Sequence, residues 1–155
     1  MARKNKDGVK YITPKKADLE RRFKEYNEMY FDGVLPDCRL RITKNGFSPA
    51  WYIVLAKKPH IYISNRYYWT DNDLRLTLIH EMVHYYIDRI LKKWTFSIHG
   101  YTFNHECSKL RDKYGLRVKL YELPYTVHKG KKEPTLIKRM WVYFLYRFIA
   151  PIVPL

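Results

Sequence analysis

One stretch restricts this chain more than any other: His80-Glu81-Met82-Val83-His84, set inside a long apolar-periodic segment. On a helix of 3.6 residues per turn, side chains four apart lie one above the other, so both imidazoles can face one ion. Glu81 is offset by about 100°, near enough to reach a water on that ion without ligating it, as a general base must. Two histidines four apart can also be ordinary polar residues on a solvated face. Here Leu78, Ile79, Met82, Val83, Tyr86 and Ile87 surround them, the helix is apolar over most of its circumference, and a buried pair of imidazoles needs a partner. Zinc suits the pair, since a catalytic zinc takes three protein ligands and leaves a position open for water. A third ligand is therefore required.

The length of 155 residues fits one domain with a substantial core, and 46% apolar with 17% aromatic residues is a folding composition. Thirty Lys and Arg against fifteen Asp and Glu give a formal charge of +15. A field of that sign attracts polyanions, nucleic acid first and anionic membrane surface second. Only Cys38 and Cys107 are present, far apart and outside any Cys-x-x-Cys. This excludes a four-cysteine zinc ribbon and a disulfide framework, so a reducing cytoplasmic or nuclear setting is expected. Residues Met1 to Lys10 are polar and basic with no apolar core of a secretory signal. The apolar run Met140 to Leu155 is shorter than the roughly 20 residues of a membrane span and is broken by Arg147, Pro151 and Pro154.

In chain order, residues 1–12 read as a flexible basic arm carrying Arg3, Lys4, Lys6 and Lys10. Thr13-Pro14 signals a helix start, with Thr as N-cap and Pro at the first helical position. Leu19, Phe23, Tyr26 and Tyr30 give that helix a buried stripe, and Asp32-Gly33 ends it. Cys38, Leu40 and Ile42 alternate with Arg39, Arg41 and Thr43 in a half-buried strand with a basic outer face. Asn45-Gly46 punctuates it. Trp51 to Ala56 reads as a second strand and Lys57-Lys58-Pro59 as a turn. Ile61 and Ile63 alternate with His60, Tyr62 and Ser64 in a third strand, on which His60 is a strand-face residue rather than a ligand. Thr70-Asp71-Asn72-Asp73 caps the motif helix, expected to run to about Lys93. Trp94 to Ile98 forms a connector, and a further helix spans Tyr101 to about Tyr114, with Phe103, Cys107 and Leu110 on one face and Gly115 as its stop. Tyr121 to His128 and Thr135 to Phe148 flank the polar turn Lys129 to Pro134, in the manner of a hairpin or an irregular extension.

Downstream of the motif, His99 stands fifteen positions after His84, beside Gly100, while Glu106 stands twenty-two after it with His105 as neighbour. Spacing alone leaves all three open as the third ligand. The metzincin arrangement is excluded, because Ile87 and Ile90 occupy the positions where it needs Gly and His. His80-Glu81-Met82-Val83-His84 followed by His99-Gly100-Tyr101-Thr102-Phe103 resembles the SprT-like metallopeptidases, whose pattern is His-Glu-x-x-His, a gap, then His-Gly-x-x-Phe. Upstream, Leu19, Phe23, Tyr26-Asn27, Tyr30-Phe31-Asp32-Gly33 and Leu35-Pro36 are similar to that family's entry helix and the turn after it. Pro59-His60-Ile61-Tyr62-Ile63-Ser64 is similar to its strand before the active helix, so the resemblance spans roughly residues 15–115.

The resemblance implies that His80, His84 and His99 bind one catalytic Zn²⁺, that Glu81 is the catalytic acid/base, and that Glu106 and His105 stay outside the ligand set. The implied fold is α+β: a small zincin-like domain over 13–120, with an entry helix, a short antiparallel sheet, the motif helix and a helix following the third histidine. Residues 121–155 form an aromatic-rich extension. The implied activity is a zinc endopeptidase acting on protein or peptide substrates; members resembling Spartan digest proteins crosslinked to DNA. Many relatives carry a cysteine-rich zinc ribbon after the catalytic region, whereas no cysteine follows position 107 here. DNA recognition through such a ribbon therefore does not carry over, and the basic arm, Arg39, Arg41 and Lys129 to Lys132 are the expected phosphate contacts. The rival reading is a non-catalytic nucleic-acid-binding domain with a structural zinc, closed by Glu106 or His105 as fourth ligand.

Overall fold

The apolar periodicities become three helices and two small sheets in a computed structural model that describes residues 3–4, 8–44, 48–53, 59–93 and 99–118. The expected hairpin or extension over 121–155, the connector Trp94 to Ile98, the Asn45-Gly46 turn and Lys57-Lys58 lie outside the described residues. β1 (Arg3–Lys4) pairs antiparallel with β2 (Lys10–Tyr11). The Ile12 N–H then donates to the Trp69 carbonyl at 2.8 Å, and Trp69 is fully buried. The segment expected as a flexible arm thus contains paired backbone and is fastened at its end beside the start of the motif helix.

That fastening corrects the expected start of the first helix. The bridge holds the chain extended at Ile12, and the buried Pro14 stays with that extended segment instead of opening the helix. α1 (Lys16–Phe31) begins only after Lys15, which caps it without a side-chain hydrogen bond. Leu19, Phe23, Tyr26 and Phe31 form its buried stripe. Asp32 and Gly33 end it in the left-handed region, at φ 53° and 68°. The buried Asn27 holds the turn that follows, donating from Nδ2 to the Leu35 carbonyl at 2.9 Å and accepting from the Leu35 N–H at 3.1 Å.

The sheet is mixed, where an antiparallel one was expected. β3 (Arg39–Thr43), β4 (Ala50–Ile53) and β5 (His60–Ser64) stand in the order β3-β5-β4, with β3–β5 parallel and β4–β5 antiparallel. The physical reason is burial. β5 carries Ile61 and Ile63, both fully buried, and takes the centre, where a strand is paired on both edges. It therefore inserts between two strands that are neighbours in sequence. Leu40, Tyr52, Ile61 and Ile63 form the inner face, against which the helices pack.

α2 (Asp71–Arg89) starts as expected, with the Thr70 hydroxyl accepting from the Asp73 N–H at 3.1 Å. It ends about a turn before Lys93. The Lys93 N–H reaches back to the Ile87 carbonyl at 3.2 Å, with Lys92 left-handed at φ 51°. The helix thus stops on a left-handed residue, with Lys in the place where Gly is usual. α3 (Tyr101–Tyr114) ends at Gly115, φ 67°. Leu74, Leu78, Ile79, Met82 and Val83 of α2 are completely buried between the sheet and the neighbouring helices. Arg22 joins α1 to α2: its guanidinium donates to Asp18, to Asp71 at the start of α2 and to the Tyr26 hydroxyl. Among the described residues no helix is long and apolar enough to cross a membrane.

Candidate metal centre

α2 is amphipathic enough to be driven into the core by its leucines and isoleucines, and its 3.6-residue turn aligns His80 with His84. His99 arrives from outside that helix, immediately before Gly100, the N-cap of α3. The Asn104 side chain donates to the His99 carbonyl at 3.1 Å, and the Asn104 N–H donates to the Gly100 carbonyl at 3.1 Å. The first turn of α3 thereby fixes the backbone that carries the third imidazole.

The three Nε2 atoms converge: His80 to His99 3.1 Å, His84 to His80 3.2 Å, and His84 to His99 3.1 Å. Burial, with the neighbouring His80 and His99 adding to it, holds the His84 imidazole well below its usual range, and burial lowers His99 as well. Neutral imidazoles are the form that binds metals. A triangle of neutral nitrogens cannot be satisfied internally, because each ring offers Nε2 as a donor or as an acceptor but not both. A cation at the centre resolves this. Nitrogens at the zinc–imidazole distance of about 2.0–2.1 Å around a tetrahedral ion stand roughly 3.3 Å apart, close to the separations seen. Among the described residues these three form the one group of acids, cysteines and histidines able to hold a metal ion.

Phe103 is the floor of the site. Its ring is almost fully buried, with centroids 4.8 Å from His80, 4.4 Å from His84 and 4.9 Å from His99. Glu81, on the same turn as His80, is 5% exposed. Burial pushes its carboxyl up to about 8, against a hydrogen bond from the Tyr52 backbone N–H that pulls it down. The Tyr52 hydroxyl in turn donates to Asp88 of α2 at 2.6 Å.

The other residues considered in sequence lie elsewhere. Glu106 is buried on α3 and paired with Lys109 at 2.9 Å, His105 stacks on Tyr101 at 5.8 Å, and neither joins the histidine group. His60 is half-buried on β5, stacked on Tyr62. Sequence reasoning missed Tyr52, Asn104 and the platform role of Phe103. Asn104 had a local signal, since it stands four after the capping Gly100; Tyr52 had none, because its partners Glu81 and Asp88 are far along the chain.

No curated protein matches the sequence. A protein-family model for the SprT-like family matches residues 19–126, more than two thirds of the chain, taking in α1 from Leu19 onward and all of the three-stranded sheet, α2 and α3. With that match over most of its length, and with the His-Glu-x-x-His helix and His99 brought to one point, this chain belongs to the SprT-like family.

Proposed function

We propose that this protein is a zinc-dependent endopeptidase in which His80, His84 and His99 hold the ion and Glu81 moves the proton. The observation that carries this reading is the convergence of three Nε2 atoms within 3.2 Å of one another, one turn from a buried carboxylate. Zinc on such a set supplies Lewis acidity, polarising a carbonyl and lowering the pKa of water towards about 7.

The chain's own residues do the rest. Phe103 walls off the far side of the imidazoles and keeps solvent from them, leaving the opposite side for substrate. The Tyr52 N–H orients the Glu81 carboxylate, which takes a proton from the attacking water and gives it to the amine nitrogen as the peptide C–N bond breaks. The formal charge of +15 supports substrates that are themselves attached to nucleic acid, including proteins crosslinked to DNA.

The test is zinc content and cleavage of an unfolded protein substrate, compared between the parent and Glu81→Gln. The expected variant keeps about one zinc per chain and loses roughly 10²–10⁴-fold in kcat, the usual worth of a general acid/base. A variant that cleaves as fast as the parent overturns the assignment. A parent that binds zinc but cleaves nothing favours the structural-zinc alternative.

A further inference from the structure

The hydrogen bonds of Tyr52 run further than proton transfer at Glu81 requires. On α2, Glu81, Tyr85 and Asp88 stand at positions i, i+4 and i+7, on one face over about 10 Å of helix. Tyr52 lies along that face. Its backbone N–H bonds the Glu81 carboxylate, its ring packs on Tyr85 with centroids 5.4 Å apart, and its hydroxyl donates to Asp88 Oδ2 at 2.6 Å. The Arg89 guanidinium lies 3.0 Å from the same Asp88 oxygen, and the Tyr85 hydroxyl donates to the Pro36 carbonyl at 3.2 Å. β4, which carries Tyr52, is four residues long and stands at the edge of the sheet, paired among the described residues with β5 alone. The N–H given to Glu81 adds nothing to that pairing, so the ladder by itself leaves this part of β4 weakly held over α2.

We propose that the Tyr52 hydroxyl is a positioning group for the general base: its bond to Asp88 fixes β4 lengthwise on α2, and with it the N–H that aims Glu81. Its catalytic consequence rests on the peptidase reading. Contact between the Tyr52 and Tyr85 rings is apolar and lets one slide over the other at little cost, whereas a hydrogen bond sets both a length and an angle. Without the hydroxyl, β4 is free to shift along α2, and the N–H then leaves the carboxylate. A displacement of about 1 Å at a reacting group can cost roughly 10²-fold in rate. The zinc ligands are insulated from such a shift, because His80, His84 and His99 are packed against Phe103 of α3. The expected signature is therefore a loss in kcat at unchanged metal content.

The experiment compares zinc content, kcat and KM on labelled casein, and amide hydrogen exchange at residue 52 read by NMR, for the full chain and its variants. Tyr52→Phe, which keeps the ring and removes the hydroxyl, should lose roughly tenfold or more in kcat, with KM and zinc content unchanged. The amide at residue 52 should exchange roughly tenfold faster, the worth of one lost hydrogen bond, while amides in the middle of α2 keep the parent rate. Asp88→Ala should do the same, and Asp88→Asn, which retains an acceptor oxygen, should keep most of the parent's kcat. Tyr52→Phe combined with Asp88→Ala should be no slower than either alone. A general loss of stability would instead speed exchange throughout α2. A folded Tyr52→Phe chain with the parent's kcat, or with the parent's exchange at residue 52, overturns the proposal. So do effects that add in the double variant, or an Asp88→Asn chain as slow as Asp88→Ala. If Tyr52→Phe does not fold, Asp88→Ala decides by the same two readings, since its side chain is 19% exposed. The two failures are distinguishable: the peptidase reading falls if Glu81→Gln cleaves like the parent, this one alone if residue 52 exchanges alike with and without the hydroxyl, and both if the parent cleaves nothing.

Discussion

Phe103 lies against all three imidazoles at once, and the site's rigidity is concentrated in that ring. Replacing it with Ala opens a cavity beneath the cluster and should cost about 3–5 kcal/mol in urea unfolding of the metal-free protein. Zinc affinity should fall with it, by roughly tenfold or more, because the rings lose their packing orientation; competition with a chromogenic chelator reads this. The two thiols give a second residue-scale expectation. Burial pushes both Cys38 and Cys107 up to about 12, so both are protonated at neutral pH and are poor nucleophiles. A thiol whose folded pKa lies above its unfolded value contributes stability that is complete below the unfolded value, about 8.5, and is lost as pH rises from there towards 12. The native protein should therefore react slowly with a disulfide reagent at pH 8 and rapidly once urea is added, and its unfolding midpoint should drop between pH 8 and pH 10. Fast labelling of the native chain at pH 8 would contradict the raised values of the buried Cys107 and the partly buried Cys38.

The elements read from sequence with unequal success, and the difference follows the range of the interactions that define them. The start of α2 was written locally, in a hydroxyl three residues before the N–H it accepts. The stop of α3 at Gly115 and of α1 at Asp32-Gly33 were local too. Thr13-Pro14 carried an equally good local signal and failed, because the Ile12–Trp69 bridge, made between residues far apart in sequence, holds that segment extended. The end of α2 was hidden for another reason: Lys92 occupies the left-handed position where glycine would have announced the turn. The parallel pairing of β3 with β5 was invisible because hydrophobic alternation gives a strand its faces, not its neighbours. In the site, spacing left His99, Glu106 and His105 open, and only the contacts of α3 with α2 separate them in space. At this scale Thr70→Ala should destabilise the motif helix and the protein by about 1 kcal/mol. Arg22→Ala should cost about 1.5–3 kcal/mol, since it severs charge-assisted bonds between α1 and α2. Both are read as shifts of the denaturant midpoint at unchanged slope.

At the scale of the whole molecule, the histidine cluster ties α2 to the entrance of α3. His80 and His84 belong to α2 and His99 to the entrance of α3, with the Phe103 ring packed against all three. An ion bound by all three joins the segments in the folded state alone, because the unfolded chain does not hold three imidazoles together. Mass action then fixes the size of the effect: free zinc at a hundred times its dissociation constant adds about 2.7 kcal/mol of stability. For a domain of this length each kcal/mol moves the melting temperature by about 2–4 °C. Thermal unfolding with zinc should accordingly lie roughly 5–10 °C above unfolding with a chelator, and the gap should widen as free zinc is raised. His99→Ala should melt near the chelated parent and show little response to zinc, since two ligands on one helix no longer bridge α2 to α3. Glu81→Gln should retain the full shift, as the carboxylate lies outside the ligand set. A parent whose melting ignores both zinc and chelator would mean that the three nitrogens meet without binding an ion, and the hydrolytic chemistry assigned to Glu81 would lose its basis.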